Sequence, residues 1–421
     1  MRTHEKVALA VLASAAVFAA RSAWAAPMDP TPDRLFLDNP GLAGSGLNCQ
    51  GVASNPESVL ANAGIQKRGG SAALPNAYPC LPNNAAWANM MYELGHAIAP
   101  TAFHPARTTG YGGFALSLEA SYAKINADGT DGNGVQYWHQ GTQGNPQPNG
   151  SFSTVNSGPD SILQIYTLKA RKGLPFGFEI AGALGLIANT TLWLGGADLH
   201  WAILEGYRTG FLGYIPDISI GGGVRTLSGQ QSFYLTTVGI DAELSKPIAL
   251  ADSAVLTPYI GAQRLIIYAN SSIVNLTPSV DPLQACGYAG QNVADNPLAP
   301  GNTGLTVPND PKSKPWTKGQ FDGSPVCKNT LSNHAPNNSD FNNQSVFQKQ
   351  TFNTWRGIAG LTYRYELLYL AAQFALDMED SSAENSGLSG GPIDPKTGSS
   401  TTFALSGARQ WTLSLEAGVF F

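Results

Sequence analysis

Apolar and polar residues alternate one for one over the last eleven positions of the chain. Trp411, Leu413, Leu415, Ala417, Val419 and Phe421 share one face, and Thr412, Ser414, Glu416 and Gly418 share the other. A period of two is the signature of a strand. The same grammar recurs at 114–122, 178–186, 217–225, 236–245, 355–365 and 370–377. Three further stretches, 163–171, 197–205 and 256–268, follow it less cleanly. In the last of these Gln263 beside Arg264 interrupts the alternation, as a bulge or a position near a rim would. The pattern predicts an all-β chain of about ten strands, with twelve as the alternative.

The connections sort by parity. Numbered from Phe114, the odd-to-even connections are 126–160, 189–196, 228–231, 269–350 and 379–404, and the even-to-odd ones are 172–175, 206–216, 246–254 and 366–367. All three long connections fall in the first set. That is the asymmetry of an up-and-down barrel with one rim of short turns and one of long loops. Beyond the first residues no apolar run is long enough for a membrane helix. Barrels evade this test, because only every second strand residue faces lipid. The pattern therefore points to a closed antiparallel transmembrane β-barrel.

Composition agrees. The chain holds 47 Gly and only 13% charged residues, and its formal charge of −5 leaves no footprint for nucleic acid. Arg2 and Lys6 precede the apolar run 7–20, and Ala23, Trp24 and Ala25 form a small-x-small site. This reads as a signal peptide, 1–25, cleaved after Ala25. The remaining chain divides into an N-terminal segment, 26–109, and the barrel, 110–421.

An aromatic final residue preceded by apolar residues at alternate positions resembles the assembly signal of bacterial outer-membrane β-barrel proteins. The string from Leu256 to Gly261, Leu-Thr-Pro-Tyr-Ile-Gly, resembles the Pro-Tyr-x-Gly strand opening of small members of that class. With the signal peptide, the resemblance covers residues 110–421. It implies a place in the outer membrane of a Gram-negative bacterium, with outer-membrane lipid around the barrel and the barrel-assembly machinery reading Trp411, Leu413, Leu415, Ala417, Val419 and Phe421. It also implies periplasmic N- and C-termini and extracellular long loops. No particular member of the class is matched.

The N-terminal segment differs in grammar. Asn55, Pro56 and Glu57 look like a helix start with Gly64 as a stop. Trp87, Met90, Met91, Leu94 and Ile98 have helical spacing within 84–98. Such a helix either packs at the periplasmic rim or plugs the lumen. The rim is favoured slightly, because ten strands enclose a narrow interior. Export places the four cysteines in an oxidising compartment. Cys49–Cys80 and Cys286–Cys327 are the favoured pairs, since each lies within one non-strand segment. A metal reading has little support, with no Cys-x-x-Cys and no nearby His pair. No cofactor is expected.

Parity places Glu119, Lys169, Arg171, Glu179, Asp217, Arg225, Asp241, Glu243, Arg356, Arg364, Asp377 and Glu416 on the lumen face. They form either a constriction that selects solutes or a salt-bridged interior that braces the wall, and the mixed signs favour the brace. His200 is the one His on a predicted strand, and its spacing from Asp198 defines no triad. His139 and His334 fall in loops. The Asp/Gly run 126–134 lacks the spacing of a calcium-binding EF-hand, since position twelve from Asp128 is His139. Tyr111, Trp201, Tyr207, Tyr214, Tyr365, Trp411 and Phe421 are candidates for interfacial girdles. Two roles compete: a narrow porin-like channel for small solutes, ahead by fold analogy alone, and a structural or adhesin-like barrel acting through its loops. An outer-membrane hydrolase is a remote third, and the solute or extracellular partner is not specified by the sequence.

Overall fold

A computed structural model describes residues 26–38, 80–101, 105–127, 129, 137–142, 159–206, 215–251, 253–275, 286–288, 325–327, 344–378, 388–393, 400–403 and 409–421. The signal segment, Cys49, the candidate helix at 55–64, Tyr207, Tyr214 and His334 lie outside these residues, as does most of the Asp/Gly run.

In chain order the elements are β1 (Phe36–Asp38), β2 (Cys80–Pro82), helix α1 (Asn84–Ala97), β3 (Phe114–Lys124), helix α2 (Tyr137–Gly141), β4 (Ile162–Gly173), β5 (Phe178–Ile187), β6 (Trp193–Leu204), β7 (Asp217–Ser228), β8 (Phe233–Ser245), β9 (Ile248–Ala251), β10 (Ala254–Ser271), β11 (Val274–Asn275), β12 (Cys286–Tyr288), β13 (Pro325–Cys327), β14 (Gln344–Ser345), β15 (Gln350–Tyr365), β16 (Leu368–Asp377), β17 (Leu388–Ile393), β18 (Ser400–Phe403) and β19 (Trp411–Phe420). Each of the ten expected strands is present; most are longer at one or both ends, while β6 stops at Leu204 and β19 at Phe420.

Neighbouring strands pair antiparallel in the order β15-β16-β19-β3-β4-β5-β6-β7-β8-β10, and β10 pairs back onto β15. That last ladder runs from Ala254 opposite Tyr365 to Ala269 opposite Gln350 and closes the ring. Closure is what hydrocarbon demands: a free edge would leave a row of N–H and C=O groups without partners. Among the described residues no helix is long and apolar enough to cross a membrane.

The two faces differ sharply. Leu184 is 62% exposed and Ile260 61% on the outside, while Lys169 and Glu119 are each 2% exposed on the inside. In water this would be inverted, so the outer face is built for lipid. Aromatic pairs mark its two margins. Phe114 and Phe421 (ring centroids 6.1 Å apart) and Phe178 and Trp201 (5.5 Å) lie toward the rim of short turns. Phe374 and Trp411 (6.2 Å) lie toward the rim of long loops.

At Gln263 and Arg264 the ladders of β10 with β8 and β15 run through without a register shift. Gln263 points inward and is fully buried. Arg264 points outward, with its guanidinium 5.9 Å over the Trp355 ring, so the strand tolerates a cation on its outer face without a bulge. A register shift does occur in β6, between Ala202 and Leu204.

The N-terminal segment departs most from expectation. Its helix lies inside the ring, not at the rim, and every residue of α1 is buried. Asn83 caps it by accepting from the Ala86 N–H (3.0 Å). Trp87 stacks on Phe347 (5.0 Å) and meets Phe233 edge-on (5.9 Å). A Cβ at Gly95 would collide with Ile267 of β10, so glycine lets the helix lie close to the wall. The interior has room because inward positions of several strands are small. Ala181, Ala183 and Gly185 of β5, Ser117 and Ser121 of β3, and Ser219 of β7 all face in. A ring of eight strands is just filled by its own side chains. Ten strands lined this sparsely admit a helix about 10 Å across.

The first described residues are also displaced from expectation. The Met28 N–H donates to the Asn189 carbonyl (3.0 Å), Asp29 accepts from Thr191, and the Pro30 carbonyl accepts from Gln230 (2.8 Å). Asn189, Thr191 and Gln230 all belong to loop-rim connections. The Phe421 N–H donates to the Phe114 carbonyl (2.8 Å) at the turn rim. Residues 28–30 and Phe421 thus lie at opposite rims, because the segment that holds α1 passes through the ring before β3.

Candidate functional site

The lumen is the site, and its wall grips the threaded segment from one rim to the other. Near the loop rim the Glu93 carboxylate of α1 accepts from the Asn126 N–H (3.0 Å), the Tyr137 hydroxyl (3.1 Å) and the Trp138 indole. Three donors from the β3–β4 connection converge on one buried acid. Beside it the Tyr92 hydroxyl donates to Asp377 Oδ2 (2.8 Å) and the Thr354 hydroxyl to Asp377 Oδ1 (2.9 Å), with His96 Nε2 3.8 Å away. At the loop rim itself burial raises the Asp33 carboxyl above its ordinary range and lowers the neighbouring Arg34, whose Nη1 donates to the Thr142 carbonyl (2.7 Å).

Halfway down, α1 has ended, and the Gly95 carbonyl of its last turn accepts from the Thr237 hydroxyl of the wall (3.0 Å). The Pro100 carbonyl accepts from Gln263 Nε2 (3.3 Å) and from the Arg356 guanidinium. Arg356 Nε also donates to Gln263 Oε1 (2.6 Å), and Gln263 Nε2 to Asp241 (3.1 Å). The Thr101 hydroxyl donates to Glu119 (2.9 Å) and accepts from Lys169 Nζ (2.6 Å).

At the turn rim the grip continues. The Ala106 N–H donates to Ser245 (2.9 Å), Arg107 Nε to Asp217 (2.6 Å), the Thr108 N–H to Glu205 (3.0 Å) and the Thr109 N–H to Glu179 (2.6 Å).

The wall's own charges form two clusters. Lys169 pairs with Glu119 and stands 4.0 Å from Glu416. Arg171 stands 3.4 Å from Glu416 and 4.0 Å from Glu179, and it donates to the Tyr369 hydroxyl, which itself donates to Glu416 (2.5 Å). In the second cluster Arg225 binds both oxygens of Asp198 (2.7 Å each). That fork-to-fork geometry occupies Asp198. His200 is buried nearby on β6. Among the described residues no group of three or more His, Cys, Asp or Glu could hold a metal ion.

Eleven of the twelve charged positions read from parity therefore face the lumen, and six of them bond the threaded segment directly: Glu119, Lys169, Glu179, Asp217, Arg356 and Asp377. Asp241 is half-buried, and Glu243 is buried with neither oxygen hydrogen-bonded among the described residues. Arg364 is the exception. It is exposed at the turn rim, where its Nε donates to the Glu366 carbonyl (3.1 Å) and its guanidinium lies 4.6 Å over the Phe420 ring. The strand leaves the enclosed part of the ring there, so inward parity no longer means a lumen. Tyr369 and Gln263 were missed as lumen residues. Both lie at inward parity, Tyr369 one residue before the predicted start of its strand and Gln263 at the interrupted alternation.

The assembly-signal face lies outward, with Leu413, Leu415 and Phe421 exposed. Among the cysteines, Cys286 of β12 stands directly opposite Cys327 of β13 in an antiparallel register. Peptide mapping without reductant is expected to recover 286 and 327 in one linked fragment. Recovery of both as free thiols would refute the pairing.

No family model matches the chain, and no curated protein matches it. Among solved structures, it is similar to the attachment invasion locus protein Ail of Yersinia pestis, at 9% identity over 74% of this chain and 99% of that one, with a TM-score of 0.22. Neisserial surface protein A is matched at 12% identity over 73% and 98%, with a TM-score of 0.21. LpxR from Salmonella typhimurium is matched at 9% identity over 72% and 100%, with a TM-score of 0.24. Likeness at these scores carries no argument about function; the closed ladder and its outward apolar face carry the fold, that of a transmembrane β-barrel.

Proposed function

We propose that this chain is an outer-membrane barrel of a Gram-negative bacterium that acts at its loop rim, as an adhesin-like surface-interaction protein and not as an open pore. The observation that supports this reading is the threaded segment, bonded to the wall at both rims and in the middle. A porin-like role requires 84–109 to leave, which would strip partners from Asp377, Arg356, Glu119, Lys169, Asp217 and Glu179 in one step. The same threading holds residues 26–38 and 80–83 toward the rim from which the connections 125–161, 272–349 and 378–410 leave. With the turn rim periplasmic, that collection faces the outside of the cell and offers its surface to an extracellular partner.

Planar-bilayer recording tests the closed lumen. The refolded protein is expected to be electrically silent, and a variant lacking 26–109 to give steady open channels. Steady conductance from the intact protein would refute the reading. Epitope tags test the orientation. A tag at residue 65 is expected to be stained on intact cells, and a tag after Phe421 only after the outer membrane is permeabilised. The reverse pattern would overturn the assigned sides.

A further inference from the structure

We propose that the outer wall between β3 and β8 holds one acyl chain of an acidic glycerophospholipid, with its phosphate at Lys172. The wall is indented there by a groove of about 860 Å³. Its floor is set by register. Ala170 of β4 stands opposite Gly182 of β5, and Gly182 opposite Ala197 of β6, so three small outward residues sit side by side on adjacent strands. Gly222 of β7, opposite Leu199, continues the floor. A Cβ placed on Gly182 would meet nothing within 4 Å, so the space outside it is open.

The groove starts at Phe114 and Lys172 on the turn rim and rises obliquely to Ile240 of β8. Five interstrand spacings make it about 24 Å long. One leaflet of hydrocarbon is about 15 Å deep, half of the usual core, so an oblique chain of the nearer leaflet can fill it. A second copy of the barrel fits poorly. Two convex walls touch along a line and leave an indentation empty, whereas an acyl chain conforms to it.

The mouth supplies the charge. Lys172 is exposed, and its Nζ donates to the Gly112 carbonyl (2.6 Å), a neutral acceptor that leaves the ammonium charge uncompensated. Its position beside Phe114 puts that cation at headgroup depth, where a lysine favours anionic lipid by about fivefold.

Native mass spectrometry of the full mature protein in detergent, titrated with dimyristoyl phosphatidylglycerol or dimyristoyl phosphatidylcholine, tests this. The native protein is expected to retain one phosphatidylglycerol at concentrations where Gly182→Leu, which fills the groove without a clash, retains none. Lys172→Gln is expected to bind phosphatidylglycerol about fivefold more weakly, with phosphatidylcholine binding unchanged. Heat-modifiable gel migration confirms that each variant is folded. Equal retention by the native and Gly182→Leu proteins would overturn the proposal. So would a native dimer that Gly182→Leu dissociates, which would make a second copy the occupant.

Discussion

Replacing Lys169 with Met lowers the stability of the folded barrel by about 3–5 kcal/mol. Lys169 is 2% exposed and is bound on three sides: it pairs with Glu119, lies 4.0 Å from Glu416 and donates to Thr101 of the threaded segment. Methionine matches its length and removes its charge. Glu119 then stays buried without its cation, and Glu416 is left with Arg171 as its cation and the Tyr369 hydroxyl as a donor. The expected loss exceeds that of a surface ion pair, roughly 0–1 kcal/mol, because water does not reach these carboxylates. Urea titration of the refolded protein, read by gel migration, measures it. Restoring neutrality with Lys169→Met and Glu119→Gln together is expected to recover a large part of the loss. A single variant within about 1 kcal/mol of the native protein would show that the lumen is wetter and the pair weaker than its burial implies.

The second large effect lies nearer the loop rim. Trp87→Ala is expected to cost about 3–5 kcal/mol and to loosen the loop-rim end of the threaded helix. Trp87 is fully buried, stacks on Phe347 and donates its indole N–H to the Gln348 carbonyl (3.2 Å). Alanine leaves a cavity between α1 and the wall and removes one donor from the half-buried Gln348 carbonyl. Trp355→Ala on the outer face is the control, since that ring is already 42% exposed and lipid fills the space it vacates. Limited proteolysis is expected to cut within 84–100 in Trp87→Ala and to spare that stretch in Trp355→Ala. Equal protection in the two would show that Trp87 does not hold the helix in place.

Both predictions concern contacts between the threaded segment and the wall, which the sequence revealed unevenly. Glu119, Lys169, Asp217 and Asp377 were legible as lumen residues because strand parity assigns a face with no knowledge of neighbours. Their partners were not. Thr101, Pro100 and Arg107 lie in an irregular stretch with no period to read. Glu93 sits within a helical pattern whose apolar positions suggest one buried face, yet the polar Asn89, Glu93 and His96 are buried too. Helical periodicity detects contrast between faces. A helix enclosed on all sides shows it only faintly.

The sequence by itself determined a closed antiparallel ring of about ten strands, with twelve as the alternative, their faces, the parity of long and short connections, and the outward apolar face of the last strand. These follow from local rules, because alternation belongs to the pleat and turn length to adjacent strands. Only the tertiary structure decided that the lumen is occupied and that residues 28–30 and Phe421 lie at opposite rims. The bore of a ring depends on the inward residues of all ten strands together. Whether Ala181, Ala183, Gly185 and Ser117 leave room for a helix is a property of the closed circle, and no single strand carries it.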